Sequence, residues 1–242
     1  MKTQFYVTKC MKMWMMSLLL TCIGFSSYAA KSNFVLGKPS AEEMAMKVYP
    51  EDTSAAAVVL YKECTILPQD EEDFISEKVV RCRMKILKEI GKEFITLEIP
   101  YTHNIYLTDF KAVITNVVDG KVQTSVVKRN ELFDELSTDN FQRKKIAFKD
   151  LRVGSIIDYE YVMQINYIIS YQPYSLQDDM PVRYSHYLVQ APNLIKYRQN
   201  ILSWYPIESR SDFTTVRGVD FVEYEYTAKN LPALKREPYV WN

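Results

Sequence analysis

Glycine is scarce in this sequence, with 6 of 242 residues, so the chain has few of the glycine-rich loops that cradle phosphate groups. Neither charge is in excess, because 30 lysines and arginines balance 30 aspartates and glutamates. A protein that binds nucleic acid chiefly through its phosphates needs a basic surplus, and we therefore expect no nucleic-acid partner. Four cysteines are also too few for a disulfide scaffold.

Histidine is rarer still, and its placement argues against a metal site. Only His103 and His186 occur, and neither is followed by a second ligand at positions i+2 to i+4, as is usual in zinc sites. We therefore expect no metal and no cofactor. Both histidines are expected to be structural or surface residues, with a Cys–His pair formed across the fold as the alternative.

Apolar and aromatic residues, in contrast, are plentiful. They make up 48% and 13% of the chain, and this composition is typical of a folded protein with a substantial core. A chain so rich in aromatic residues, with no net charge, is not intrinsically disordered.

The first 29 residues have the pattern of a signal peptide. Lys2, Lys9 and Lys12 give a positive start, and residues 13–25 (MWMMSLLLTCIGF) are apolar. This run is shorter than the roughly 20 residues that a membrane span needs, but it suits the hydrophobic region of a signal peptide.

Small residues then mark a cleavage site. Ser27 and Ala29 occupy its −3 and −1 positions, so the mature chain is predicted to begin near Ala30. The alternatives are a retained membrane anchor and lipidation at Cys22. No second hydrophobic segment follows. We therefore expect an exported domain over residues 30–242, in the periplasm or cell envelope of a bacterium, with no membrane span after cleavage.

One short helix is predicted before the chain turns to strands. Ser40 and Glu43 have the spacing of a capping box, and Pro50 would end the helix after about two turns. Beyond it the apolar residues recur every second position, which predicts strands over 55–67, 74–87, 94–99, 110–118, 121–127, 156–165, 183–190, 197–204 and 219–227.

The strands define the expected fold class. Asp119-Gly120 is a strong signal for a two-residue hairpin turn, and no helices separate the strands. This pattern predicts an all-β, mainly antiparallel, β-sandwich-like fold with one or two packed β-layers and the short N-terminal helix. Residues 170–181 are a candidate division between two layers. Residues 130–145 are polar and are interpreted as a connection that could be helical.

Cys64 and Cys82 fall in two strands of one predicted hairpin. A turn centred near residues 70 and 71 would place Cys64 opposite Glu77 and Cys82 opposite Val59, about 17 Å apart along the ladder. A disulfide needs Cα atoms within about 7 Å. We therefore predict two free, buried cysteines, with a disulfide or a nucleophilic role as the alternatives.

Pairs of carboxylates alternate along two strands. Asp158 and Glu160 share one face of a strand, as do Glu223 and Glu225, and Asp178 and Asp179 are adjacent. Two such carboxyl groups across a cleft could hydrolyse a glycoside, but the wet face of an antiparallel strand explains them more simply.

A cluster of tyrosines is the candidate binding surface. Its members are Tyr159, Tyr161, Tyr167, Tyr171 and Tyr174. Tyrosines on a sheet can stack against sugars or contact proteins, because the ring is apolar and its hydroxyl can stay wet. Packing within or at the rim of the sheet is the alternative.

Several segments together give a family resemblance that covers nearly the whole mature chain. They are residues 38–40, 49–50, 55–60, 83–87, 91–93, 119–121, 153–161, 177–182 and 230–238. In their order and spacing they resemble the uncharacterised N-terminal domain that precedes a transglutaminase-like core in many exported bacterial proteins.

The resemblance implies a β-rich, non-catalytic domain. In that family the Cys–His–Asp machinery lies in the following domain, and no matching position occurs before Asn242, so no catalytic residue carries over. We therefore expect an accessory domain, not an enzyme, that docks or scaffolds a transglutaminase-like catalytic domain in the same or a separate chain. An envelope glycan-binding module that uses the tyrosine-rich face is the alternative, and a hydrolase is the weaker one.

Overall fold

The computed structural model describes residues 34–70, 75–136, 142–166, 171, 173–216 and 218–234, all within the unit Phe34–Asn242. The predicted signal peptide over residues 1–29, its cleavage site at Ala29 and Ala30, and Cys22 lie outside the described residues. Within the described part, no helix has the length and apolar character needed to cross a membrane.

The N-terminal helix α1 spans Ala41–Ala45 and begins with the predicted capping box. The Ser40 hydroxyl accepts from the backbone N–H of Glu43 at 3.1 Å, and the Glu43 carboxylate accepts from the N–H of Ser40 at 2.8 Å. The helix is shorter than predicted. Its backbone leaves the helical conformation at Met46, and the Lys85 ammonium donates to the Met44 carbonyl at 3.0 Å, so a side chain satisfies a carbonyl near this end.

Eleven strands are found in the described part of the chain, and they confirm the all-β class. They are β1 (Ala57–Asp70), β2 (Ile75–Ile86), β3 (Leu97–Tyr101), β4 (Ile105–Val118), β5 (Lys121–Lys128), β6 (Phe133–Leu136), β7 (Gln142–Ile146), β8 (Ile156–Ile165), β9 (Val182–Pro192), β10 (Glu208–Val216) and β11 (Val219–Leu231). Two 3₁₀ turns occupy Glu89–Phe94 and Arg129–Glu131.

The strands form a large sheet and a small one. The large sheet has the order β10-β11-β9-β1-β2-β8-β4-β5, and the small sheet has the order β3-β7-β6. Strands β1 and β9 are parallel, and the other paired strands are antiparallel. The segment over 170–181, suggested above as a division between layers, connects β8 to β9, and both of these strands belong to the large sheet.

Two local predictions were wrong, and one strand was missed. Residues 197–204 are not a strand, and they lie in an irregular segment over 193–207. The edge of the large sheet is instead formed by β10, which pairs with β11 and which the sequence did not reveal because it is polar and exposed along most of its length. Among the described residues of the predicted connection over 130–145, only the first two belong to a helical element, the 3₁₀ turn Arg129–Glu131, and the others include β6 and most of β7.

The large sheet has an inner and an outer face, and the strand register shows which residues lie on each face. The inner face carries apolar residues such as Val59, Met84 and Ile157, and it shares a continuous core with Leu97, Ile99 and Ile146 of the small sheet. The outer face carries charged residues, and α1 with its flanking segment covers part of it through hydrogen bonds to β2.

The hairpin of β1 and β2 has a different register from the predicted one. Cys64 lies opposite Val80 and Cys82 opposite Lys62, because β1 continues through Pro68 to Asp70 and the turn is therefore farther along the chain. The two cysteines are thus diagonal neighbours on the inner face and not distant along the ladder. Both are free and buried, which confirms that part of the prediction.

Candidate binding site

A groove of about 610 Å³ lies on the inner face of the large sheet, over β9 and β11. We call it the tyrosine groove, because six tyrosines line it. These are Tyr171, Tyr174, Tyr187, Tyr197, Tyr224 and Tyr226. Its volume is in the usual range for small-molecule and cofactor sites.

The floor of the groove is made by cross-strand pairs. Tyr187 of β9 lies opposite Tyr226 of β11, with ring centroids 6.1 Å apart, and Val189 lies opposite Tyr224. Residues two apart on a strand share one face, so this alternation directs several rings toward the same side. The floor is therefore a rigid aromatic surface supported by strand pairing.

The first wall is the segment that precedes β9. Tyr174 stacks on Tyr187 with a centroid distance of 5.0 Å. The Lys62 ammonium lies 5.7 Å from the Tyr174 ring centroid and donates to the Asp178 carboxylate at 3.0 Å and to the Gln177 carbonyl at 3.1 Å. These contacts attach the wall to β1, so we expect its position to be well defined.

The second wall is formed by residues 196–203 and Ile207. Tyr197 packs against Tyr171 of the first wall at a centroid distance of 5.4 Å, which closes one part of the groove. The Tyr226 hydroxyl forms a hydrogen bond with the Gln199 side chain. This wall contains no strand, so side-chain contacts and not strand pairing hold it against the floor.

The C-terminal part of this second wall exposes large apolar side chains. Leu202 is 96% exposed and Trp204 is 98% exposed, and Ile201 and Tyr205 beside them are also exposed. We call residues 201–205 the apolar tip. Clustered exposure of this kind is typical of surfaces that contact another molecule.

The charged residues that line the groove are of one sign. Among the described residues that line it, none is Asp or Glu, whereas Lys196 and Arg198 stand exposed on its rim. Neither cation forms an ion pair or hydrogen bond with another residue in the described ranges. The rim therefore carries two positive charges that no residue in the described part of the chain neutralises.

The predicted tyrosines are divided between two places. Tyr171 and Tyr174 line the groove. Tyr159 and Tyr161 lie on the inner face and pack in the core, where burial raises the pKa of both hydroxyls. Tyr167 lies outside the described residues. Of the four described members of the predicted cluster, the structure thus brings two to the groove.

Four groove tyrosines were missed by the sequence reasoning, namely Tyr187, Tyr197, Tyr224 and Tyr226. Tyr224 and Tyr226 alternate on a predicted strand, and this spacing was a usable signal. The sequence signal for Tyr187 was weaker, because its contact with Tyr226 depends on the pairing of strands that are distant in sequence.

On the outer face, a row of charged residues crosses the strands. The Arg81 guanidinium bonds Glu160 of β8 at 2.6 Å and Glu63 of β1 at 3.1 Å. His186 of β9 lies 3.6 Å from Glu63 and 2.9 Å from Glu225 of β11. Burial disfavours the charged imidazole, but the hydrogen bonds with the two carboxylates outweigh burial and raise the pKa of His186 above 6.5.

This arrangement predicts a pH-dependent stability. Because protonated His186 is favoured in the folded state, its contribution is fully present below about pH 6.5 and is lost as the pH rises through the raised pKa. We expect the free energy of unfolding to fall by on the order of 1 kcal/mol across this interval, the scale of one hydrogen bond. Urea titrations between pH 6 and 8 measure the effect.

The variant His186→Gln should remove this dependence, whereas His103→Gln should keep it. His103 is the matched control, because it is exposed in the connection between β3 and β4. An unchanged slope in His186→Gln would show that another group is responsible.

The residues considered for catalysis are placed unfavourably for it. Burial raises the pKa of the Cys64 and Cys82 thiols to about 12, so neither provides a thiolate near neutral pH. His186 lies on the opposite face of the sheet from both thiols. Asp158 was interpreted as a residue of a wet strand face, and this was wrong, since it is fully buried against Arg83.

Comparisons with solved structures identify similar folds. A candidate protease from Parabacteroides distasonis has a TM-score of 0.54 and 16% identity over 76% of this chain, which spans only 37% of that protein. Two other similar structures are too distant to support an inference. Leukotriene A4 hydrolase from Saccharomyces cerevisiae has a TM-score of 0.35 and 11% identity, over 76% of this chain and 30% of that one. An M1 zinc metallopeptidase from Deinococcus radiodurans has a TM-score of 0.33 and 8% identity, over 76% of this chain and 44% of that one.

Sequence comparisons add one match. The family profile of DUF3857, described as a domain of unknown function with a solved structure, matches residues 73–235. No curated protein has significant sequence similarity to the chain.

Proposed function

The chain belongs to the DUF3857 domain family, and from this premise we propose that it is a non-catalytic accessory domain that docks a transglutaminase-like catalytic domain. The partner would lie in the same chain or in a separate one. We further propose that the domain acts after export, in the periplasm or cell envelope. The signal-peptide pattern and the family resemblance support this location.

The apolar tip is the observation that carries the docking proposal. Leu202 and Trp204 together expose two large side chains almost completely. Large aromatic residues on protruding segments commonly supply the dominant contacts of an interface, provided that the partner offers a pocket. The tip is well suited to insertion into an apolar pocket of a catalytic domain.

Two further observations support a role that is not catalytic. The thiols have a pKa far above neutrality, and Asp158 and Glu160, one of the carboxylate pairs considered for hydrolysis, are paired with Arg83 and Arg81. In addition, the fold forms only part of the longer candidate protease to which it is similar. A domain of this kind within a longer protein is consistent with an accessory role.

Size-exclusion chromatography tests the docking proposal. The chain is mixed with a transglutaminase-like domain from the same organism at tens of micromolar, and co-elution is expected. The double variant Leu202→Ser/Trp204→Ser should weaken the association at least about tenfold. Val126→Ser is the control, because Val126 is exposed on β5 at the other edge of the large sheet. Absence of co-elution, or equal weakening by the control, contradicts the proposal.

The tyrosine groove favours a second candidate function, an envelope glycan-binding module. Tyrosine rings offer an apolar surface for the carbon-bound faces of sugars, and their hydroxyls offer polar contacts. If this candidate is correct, an oligosaccharide should bind, and Tyr224→Ala should reduce the affinity at least about tenfold in a variant that still unfolds cooperatively. Equal affinity of the wild type and the variant contradicts it.

A further inference from the structure

We infer that the tyrosine groove binds a glycan that carries carboxylate groups, with Lys196 and Arg198 as the cations that select it. This inference rests on the glycan-binding candidate function and adds the chemical class of the ligand. It follows from the charge, the architecture and the side-chain chemistry of the groove.

The charge of the groove favours an anionic ligand. The described residues that line it include two cations and no acid. Elsewhere on this sheet, arginines such as Arg81, Arg83 and Arg183 are held by carboxylates. Lys196 and Arg198 differ, because within the described ranges neither has an internal ion pair. An acidic ligand would supply the missing counter-charge.

The position of the two cations suits a ligand that lies along the groove. Only Tyr197 separates them, and its ring turns inward against Tyr171. Both cations are exposed while the intervening ring is partly buried. A chain molecule that contacts the aromatic floor could therefore meet both positive charges at the rim.

The sheet itself argues for a glycan and against a peptide that adds as a strand. A peptide of that kind needs a sheet edge with unpaired backbone groups. The floor strands β9 and β11 each have a neighbour on both sides, so their backbone groups are already engaged. Recognition by the floor therefore comes from its side chains, and the groove offers tyrosine rings together with the side chains of Gln177, Gln199 and Asn200.

Isothermal titration calorimetry with matched probes tests the inference. Tetragalacturonate carries carboxylates, and its fully methyl-esterified form is a neutral analogue of nearly the same shape. We expect the acid to bind at least about tenfold more tightly than the ester, with an affinity that falls as salt rises. Lys196→Gln/Arg198→Gln should lose at least about tenfold in affinity for the acid.

The control variant is Lys47→Gln/Lys121→Gln, which removes the same charge from exposed sites outside the groove. It should bind the acid as the wild type does. Melting temperatures of both double variants should be unchanged, because all four side chains are exposed.

The outcomes separate this inference from the function on which it rests. Equal binding of acid and ester overturns the carboxylate inference while the glycan-binding function stands. Failure of both glycans to bind overturns the two together. Binding of a hexaglutamate peptide in place of either glycan also overturns both, because it points to an acidic protein segment. Equal losses in the two double variants overturn the assignment to Lys196 and Arg198.

Discussion

Replacing Arg83 with methionine is expected to lower the free energy of unfolding by about 3–5 kcal/mol, the usual cost of breaking a buried ion pair. Arg83 lies on the outer face of β2 and its side chain is only 5% exposed. It binds the Asp158 carboxylate through two hydrogen bonds of 2.7 Å. It also bonds the Glu43 carboxylate at 2.9 Å and the Val35 carbonyl at 2.9 Å.

The expected loss is large because methionine would leave two buried carboxylates without this cation. Glu43 keeps a contact with Arg183, but Asp158 keeps only the backbone N–H of Gly37 among the described partners. The segment that carries α1 is fastened to the sheet by the same residues. We therefore expect the variant to loosen this segment as well as to destabilise the core.

Urea denaturation of Arg83→Met measures the effect, with Arg143→Met as the control. Arg143 pairs with Glu98 in a half-exposed salt bridge on the small sheet, and such pairs contribute about 0–1 kcal/mol. The double variant Arg83→Met/Asp158→Leu should recover part of the loss, since it removes the unpaired charge. Equal losses in Arg83→Met and Arg143→Met would show that the buried network has no special role.

Gly91→Ala should also be strongly destabilising, by about 3 kcal/mol, near the upper end of the usual cost of overpacking. A Cβ atom at Gly91 would lie 2.1 Å from the Ala56 carbonyl oxygen and 2.8 Å from its carbon. That oxygen accepts from the backbone N–H groups of Leu87 and Lys88 at 2.8 and 2.9 Å. The 3₁₀ turn therefore cannot move away from the Ala56 carbonyl without breaking these hydrogen bonds and disturbing the start of β1.

The control is Gly120→Ala, in the turn between β4 and β5. Gly120 has a φ of 73°, and no atom lies within 4 Å of a Cβ placed there. Its cost should be only the strain of a left-handed residue, about 1–2 kcal/mol. Thermal denaturation compares the two variants. A loss in Gly91→Ala no greater than that in Gly120→Ala would contradict the close contact.

The strands that alternate clearly were predictable from the sequence. Strand β8 has the predicted bounds, because apolar or aromatic residues alternate with the acids Asp158 and Glu160 in its centre and apolar residues continue at both ends. The hairpin turn at Asp119-Gly120 was also predictable, since both residues adopt positive φ values of 50° and 73°.

Elements at the edge of the sheet were not predictable in this way. Strand β10 is exposed along most of its length, so it has no apolar alternation to reveal it. Residues 197–204 are apolar enough to suggest a strand, but β10 occupies the position beside β11. The local sequence does not determine which segment will pair with a given strand.

The site was predictable only in part for a related reason. Alternation showed that Tyr159 and Tyr161 share a face, but not that this part of the face would be covered by the core. It also could not show that Asp158 would be buried on the opposite face, because α1 covers that region only through long-range contacts such as Glu43 with Arg83. The floor of the groove requires the pairing of β9 with β11.

Hydrogen–deuterium exchange tests the proposed docking function most directly. Exchange is compared for the chain alone and for the chain with a transglutaminase-like catalytic domain. If the apolar tip is the docking surface, exchange should slow within residues 193–207, while the backbone of the small sheet should be unaffected. Unchanged exchange in residues 193–207, or slowing confined to β3, β6 and β7, would contradict docking through the tip.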